Sequence, residues 1–211
     1  MIKVIIAYDD NDEELGDYFE ISYNDINDFL SNVANIEVIP IRGLNCTESN
    51  VIDAIEDLED EHFVFVGLSH GMETQLLTSN EVYVDISSLN HFSNSLFYTT
   101  ACSTAKELGN ELISNGCLSF IGFINDSYAT YENYYHIYTE CENYCLKEFL
   151  SSNNTIEESF DNMIELFDNK INELFEQHED EILVGMELVG NRDQLRIIGD
   201  KSLKKANLDN D

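Results

Sequence analysis

The chain has 211 residues, with 10 Lys and Arg against 42 Asp and Glu, a formal net charge of −32. A surface that negative repels phosphate backbones and anionic lipid, so we expect no nucleic-acid and no membrane partner; basic proteins or peptides fit the field better, although solubility alone accounts for the acidity equally well. Hydrophobic residues at 43% and a single Pro indicate a chain that folds almost throughout. One domain over residues 1–200 with a flexible tail over 201–211 is the expectation.

The start, Met1 to Tyr8, runs apolar into Asp9 and Asp10, too short and too acidic-flanked for a signal peptide, and reads as a buried strand. Asn24 to Val33 places Ile26, Phe29, Leu30 and Val33 at helical spacing, and Ile36 to Ile41 reads as a second strand. Thr47 is placed to cap a helix running to about Glu59. Phe63 to Leu68 is a continuous apolar run of the kind found at the centre of a parallel sheet, and it ends at Ser69-His70-Gly71. A small strand at Val82 to Val84 precedes a longer one from Leu96 to Ala101, which ends at Cys102.

The next helix buries Leu108, Leu112 and Ile113 and stops at Asn115-Gly116, since glycine accepts the left-handed conformation after a helix. Cys117 to Ile124 supplies another strand. Helices then run from about Tyr131 to Leu150 and from Thr155 to His178, and Leu183 to Val189 and Leu195 to Ile198 read as edge strands. Short apolar runs alternating with amphipathic stretches give an α/β fold, a mostly parallel central sheet with helices on both faces. The five cysteines are odd in number and irregularly spaced, which reads as reduced thiols in a cytoplasmic protein.

In open α/β sheets reactive groups collect beyond the carboxyl ends of the strands. His70 and Cys102 both stand at such ends. A cysteine thiolate is a nucleophile, and an adjacent imidazole deprotonates the thiol and protonates a leaving amine. Gly71 leaves the backbone beside His70 open, so its N–H and that of Cys102 are candidate donors to a tetrahedral oxyanion.

Ser69-His70-Gly71, then Tyr98-Thr99-Thr100-Ala101-Cys102-Ser103, then Asn115-Gly116-Cys117-Leu118-Ser119-Phe120-Ile121-Gly122-Phe123, resemble the caspase-like (clan CD) cysteine peptidases, and among them the bacterial CHAT-domain branch. The resemblance covers residues 63 to 124 well and the outer elements by order. It implies a three-layer caspase-like fold, with His70 as acid and base, Cys102 as nucleophile and Gly71 as an oxyanion amide donor. It also implies a thiol protease that forms a thioester and needs no cofactor, serving regulated proteolysis such as defence or cell death.

The chain departs from the family in two places. Many CHAT sequences carry a Gly shortly after the Cys, where Ser103-Thr104-Ala105-Lys106 stands here, and the caspases proper carry Gln-Ala-Cys where this chain has Thr100-Ala101-Cys102. Caspase specificity for Asp is not implied.

Acidic residues after the first strand (Asp9, Asp10, Asp12) and after the strand following the Cys (Asp126) fall where relatives place specificity groups. With Thr100, the set Asp9, Asp10 and Asp126 forms the candidate substrate pocket, and a carboxylate there would select Arg or Lys at the cleaved position. Competing readings are weaker. Cys141 and Cys145, with His136 and Glu140, stand one helical turn apart and suit packing better than zinc. The acidic run from Asp9 to Glu14 has Leu15 where a calcium loop needs Gly. A phosphoacceptor receiver domain fails because no Asp ends the third strand and no Lys follows Ile124. Tyrosines from Tyr128 to Tyr144 suit a helix packed on the sheet, or a peptide groove. The rival to an enzyme is a catalytically silent caspase-like module that binds a basic partner through its acidic surface.

Overall fold

Strand β1 (Ile2–Tyr8) pairs in parallel with β2 (Ile36–Arg42) on one side and with β3 (Phe63–Leu68) on the other. The computed structural model, which describes residues 1–59, 61–177 and 180–209, continues this sheet outward. Three further short strands follow β3: β4 (His70–Met72), β5 (Gln75–Leu77) and β6 (Val82–Asp85). Then β7 (Ser95–Thr99), β8 (Ser119–Phe123) and β9 (Leu195–Gly199) complete the large sheet in the order β2-β1-β3-β7-β8-β9. All its pairs are parallel except β8 with β9, whose edge strand runs antiparallel.

Side chains alternate across this sheet, so each strand feeds two cores. Val4, Ile6 and Tyr8 point one way with Val64, Val66, Leu96, Tyr98 and Ile121. Helices α1 (Gly16–Leu30), α4 (Tyr135–Glu142), α5 (Tyr144–Ser151), α6 (Ile156–Phe175) and α7 (Asp180–Gln194) contribute to that face. On the other face Ile5, Phe65, Phe97 and Phe120 meet α2 (Glu48–Glu56), α3 (Leu108–Ser114) and the small sheet of β4, β5 and β6. Phe65 lies 4.8 Å from Phe97, and Phe97 5.7 Å from Phe120, a ladder of fully buried rings across three parallel strands. Each such ring contributes about 1.5–3 kcal/mol by its burial. The expected α/β class with a mostly parallel sheet between helical layers is the fold observed.

Several boundaries differ from the sequence reading. The first helix starts at Gly16, eight residues before Asn24, because its buried stripe includes Tyr18 and Ser22, whose polar atoms hide the periodicity. The Asp12 carboxylate accepts the N–H groups of Glu14 and Leu15 and so anchors the turn that leads into it. The stretch expected as one helix from Tyr131 to Leu150 breaks at Asn143, a fully buried residue whose amide bonds Ser22 and Asp25 on α1. Leu183 to Val189 is helical, not an edge strand: Val184, Leu188 and Asn191 recur every three or four residues on the buried side of α7. Helix α6 begins where expected, with a reciprocal capping box between Thr155 and Glu158, and ends at Phe175; the expected end at His178 lies outside the described residues.

Residues 201–209 of the expected tail are packed against the body. Leu203 and Leu208 are buried, and Ile156 N–H donates to the Leu203 carbonyl at 2.9 Å. Asn210 and Asp211 lie outside the described residues.

Candidate active site

Strand β3 ends in Leu68, and the chain leaves the large sheet through Ser69, whose hydroxyl lies 2.7 Å from the Tyr83 hydroxyl on β6. That contact ties the small antiparallel sheet, and with it His70 at the start of β4, to the carboxyl end of β3. On the neighbouring strand, Thr99 Oγ1 donates to the Gly67 carbonyl at 2.8 Å and accepts the Ala101 N–H at 3.1 Å. The turn that carries Cys102 is thereby fastened to β3, the strand that leads into His70.

Close approach is the reason for glycine at position 71. A Cβ there would stand 2.7 Å from both the Ala101 Cβ and the Cys102 carbonyl oxygen. Beyond Cys102 the backbone makes an abrupt turn in which Ser103 has φ +62°, a left-handed conformation uncommon for a residue with a side chain. Its N–H donates to the Asn125 carbonyl at 3.0 Å, the Ala105 N–H to the Phe123 carbonyl at 2.9 Å, and Thr104 Oγ1 to the Ala101 carbonyl at 3.1 Å. These bonds hold the turn against the end of β8 and offset its strain.

His70, Cys102 and Thr100 line one cleft together with Leu15, Tyr18, Phe19, Ser69, Ser127, Tyr128 and Ala129. Its open volume is about 30 Å³, space for one water and little more. The His70 ring packs edge-on against Phe19 at 5.8 Å, and its Nε2 lies 3.1 Å from the Asp12 carboxylate. Burial alone would raise the Asp12 carboxyl, but the N–H groups of Leu15 and Glu14 and the facing His70 outweigh it and hold the group below its ordinary range. An ionised carboxylate facing Nε2 requires the proton on that nitrogen, which leaves Nδ1 of a neutral ring as the acceptor.

Half-buried Cys102 has its sulfur engaged by Ser127 in this conformation: the Ser127 N–H donates to Sγ at 3.3 Å, and Ser127 Oγ lies 3.6 Å away. The other four cysteines are buried. Burial pushes Cys117 up to about 11 and raises Cys46, Cys141 and Cys145 as well, so each stays a thiol at neutral pH. Cys141 and Cys145 sit in the helical core, in the packing role their spacing suggested.

The expected substrate-pocket residues divide. Thr100 lines the cleft, and its buried Oγ1 has no hydrogen-bond partner among the described residues. Asp126 is exposed, next in the chain to Ser127. Asp9 does not line this cleft: it is fully buried and accepts the N–H groups of Asn11 at 3.2 Å and Ser79 at 2.7 Å, tying the loop after β1 to the loop after β5. Asp10 also lies away from it, paired with Arg42.

Asp12 in its role beside His70, Ser127, and the groups behind Ser127 escape the sequence reading. Behind that segment, Asn191 on α7 accepts the Tyr128 N–H and donates to the Tyr128 carbonyl, both at 2.8 Å, and donates to Glu142 at 3.0 Å. Glu142 also receives the Tyr18 hydroxyl, and its carbonyl receives that of Tyr98. Burial pushes the Glu142 carboxyl up to about 8, against the lowering effect of Tyr18 and Asn191. No single-residue pattern announces such a network, because its members lie on three helices, a strand and a loop far apart in the chain.

No protein-family model and no curated protein sequence matches the chain. Solved structures do. The Arg-specific cysteine proteinase gingipain R superposes with a TM-score of 0.65 at 16% identity, over 96% of this chain and 47% of its own. A secreted C11 cysteine protease from Bacteroides thetaiotaomicron, in complex with an irreversible peptide inhibitor, gives 0.52 at 13% identity, over 80% of this chain and 59% of its own. The chain thus spans about half the length of these neighbours, and at such identities the likeness shows the fold, which is that of the caspase-like proteases.

Proposed function

We propose that the chain is a cysteine endopeptidase of the caspase-like type, with Cys102 as nucleophile and His70 as acid and base. The observation that carries this reading is the cleft itself: a half-buried thiol and an Asp12-oriented imidazole line one concavity at the carboxyl ends of adjacent parallel strands. In the reaction, His70 Nδ1 takes the Cys102 proton, and the thiolate attacks the scissile carbonyl carbon. The resulting oxyanion is met by the backbone N–H groups of Gly71 and Cys102. His70 then protonates the leaving amine as the C–N bond breaks, leaving a thioester; water, deprotonated by His70, hydrolyses it and restores the thiol. This chemistry requires no cofactor.

The substrate is a protein or peptide, with a basic residue at the cleaved position. Gingipain R is named for Arg specificity, and here Asp126, next in the chain to the cleft residue Ser127 and within a chain of net charge −32, has the matching sign. By resemblance to the CHAT branch, the reading extends to regulated proteolysis in bacterial defence or cell death, carried out in the cytoplasm.

The second reading, a silent module binding a basic partner, draws on the narrowness of the cleft and the Ser127 cap on the sulfur. Alkylation separates the two. Iodoacetamide at neutral pH should label Cys102 far faster than Cys46, Cys117, Cys141 and Cys145, and Cys102→Ala should abolish cleavage of a basic peptide library. Slow, uniform labelling would sink the enzyme reading.

A further inference from the structure

The wall of the cleft formed by Ser127 and Tyr128 is held in an unusual way. Ser127 and Tyr128 belong to the segment that leaves β8. Ser127 Oγ donates to the Thr100 carbonyl at 3.3 Å and the Thr130 N–H to Glu187 at 3.2 Å, but both backbone groups of Tyr128 are held by a single side chain, the fully buried amide of Asn191. That amide takes the place of a neighbouring strand, accepting one Tyr128 backbone group and donating to the other. Its second N–H is spent on Glu142 Oε1. With two acceptors on Nδ2 and one donor on Oδ1, the amide has a single satisfied orientation. Glu142 is fixed in turn by Tyr18 from α1, itself a wall of the cleft. The chain of contacts therefore runs from Tyr18 through Glu142 and Asn191 to Tyr128, and ends one residue away on the Ser127 N–H that faces the Cys102 sulfur.

We propose that Asn191 is a positioning residue, locked from behind by Glu142, which holds the Ser127 amide on the Cys102 sulfur and so sets how readily that sulfur carries negative charge. The inference deepens the peptidase reading and rests on it for its relevance to catalysis. A backbone N–H aimed at sulfur stabilises the thiolate more than the thiol, by a charge-assisted bond. Loosening the segment that carries it removes that preference. The titratable groups that line the same cleft, His70 with Asp12 behind it, Tyr18 and Tyr128, stay in the variants below.

The experiment follows iodoacetamide labelling of Cys102 against pH in the intact chain, with peptide mapping to read Cys102 separately from the four buried thiols. In Asn191→Ala, the pH of half-maximal labelling should rise by about one unit, and the rate at neutral pH should fall roughly tenfold. Asn191→Ser, which keeps a hydroxyl for one of the Tyr128 groups, should shift by less and carries the test if the alanine variant does not fold. Glu142→Gln keeps the volume and one acceptor oxygen for the Asn191 amide, with its N–H turned to the Tyr18 oxygen in place of the second acceptor, and should match the parent profile. A lost packing contact alone would lower the melting temperature without moving the midpoint. An unmoved midpoint in a folded Asn191 variant overturns the proposal. The midpoint is read on Cys102 whatever its absolute rate, so slow, uniform labelling of the parent chain would instead overturn the peptidase reading.

Discussion

Asp12 and His70 stand 58 positions apart in the chain and 3.1 Å apart in space, and the carboxylate does two tasks with its two oxygens. Oδ1 accepts the N–H groups of Glu14 and Leu15, which fixes the loop before α1, while Oδ2 faces the ring. Replacement by Asn should keep much of the loop and lose the ring orientation. Under the peptidase reading, Asp12→Asn should cost roughly 10²–10⁴-fold in kcat with a much smaller change in KM, as loss of a tautomer-fixing carboxylate does elsewhere. Its depressed ionisation also has a sign in stability: the contribution is complete above the ordinary value of 3.8 and is lost as pH falls through the lower folded value. Acid unfolding of the Asn variant should therefore be less steep than that of the parent below about pH 4, read by circular dichroism. His70 and Cys102 were legible because strand ends are recognisable from apolar runs. The His70–Asp12 pairing was not, since nothing in 42 acidic residues distinguishes the one whose loop folds back over the ring.

Two elements decide whether Cys102 can work, the turn after β7 and the small sheet behind it. No Gly stands close after Cys102, and Ser103 takes φ +62° in that turn. The turn forms nonetheless because Asn125 and Phe123 on the β8 side receive its N–H groups. Such compensation comes from another strand and is invisible in the local sequence. Gly71 is the complementary case, where β4 approaches the turn too closely for any side chain. Gly71→Ala should destabilise the chain by about 1–3 kcal/mol in urea titration, because its methyl meets the Ala101 methyl and the Cys102 backbone, and a shifted backbone is the only relief. The same variant should slow Cys102 labelling in the folded state. Of the three short strands from His70 to Asp85, β6 was expected at Val82 to Val84, whereas β4 and β5 are only three residues long and gave no sign in advance, and the pairing of β5 with β6 shifts register at Leu76/Leu77. Strand β3, a full apolar run, was read to the residue, while the bounds of β7 and β8 differ by one or two residues at each end.

At the scale of the molecule, charge is the feature that composition made plain and the fold now qualifies. Seven of the ten Lys and Arg are already paired with carboxylates: Lys3, Arg42, Lys106, Lys147, Lys170, Arg192 and Lys201. Little unpaired positive charge remains to interrupt the field, so an incoming cationic segment meets attraction from most directions. Screening then makes two separate predictions. Raising ionic strength from about 0.01 M to 0.15 M shortens the Debye length from about 30 Å to about 8 Å, which weakens self-repulsion and should raise the melting temperature. The same change should raise KM for Lys- and Arg-containing peptides while leaving kcat nearly constant, because long-range attraction governs encounter and not the bond-breaking step. A neutral peptide sharing the cleavage site serves as the control and should show little change in KM. If basic and neutral peptides respond alike, the acidic surface serves solubility, and selectivity for a basic residue must reside in the few groups at the cleft, with Asp126 first among those to replace.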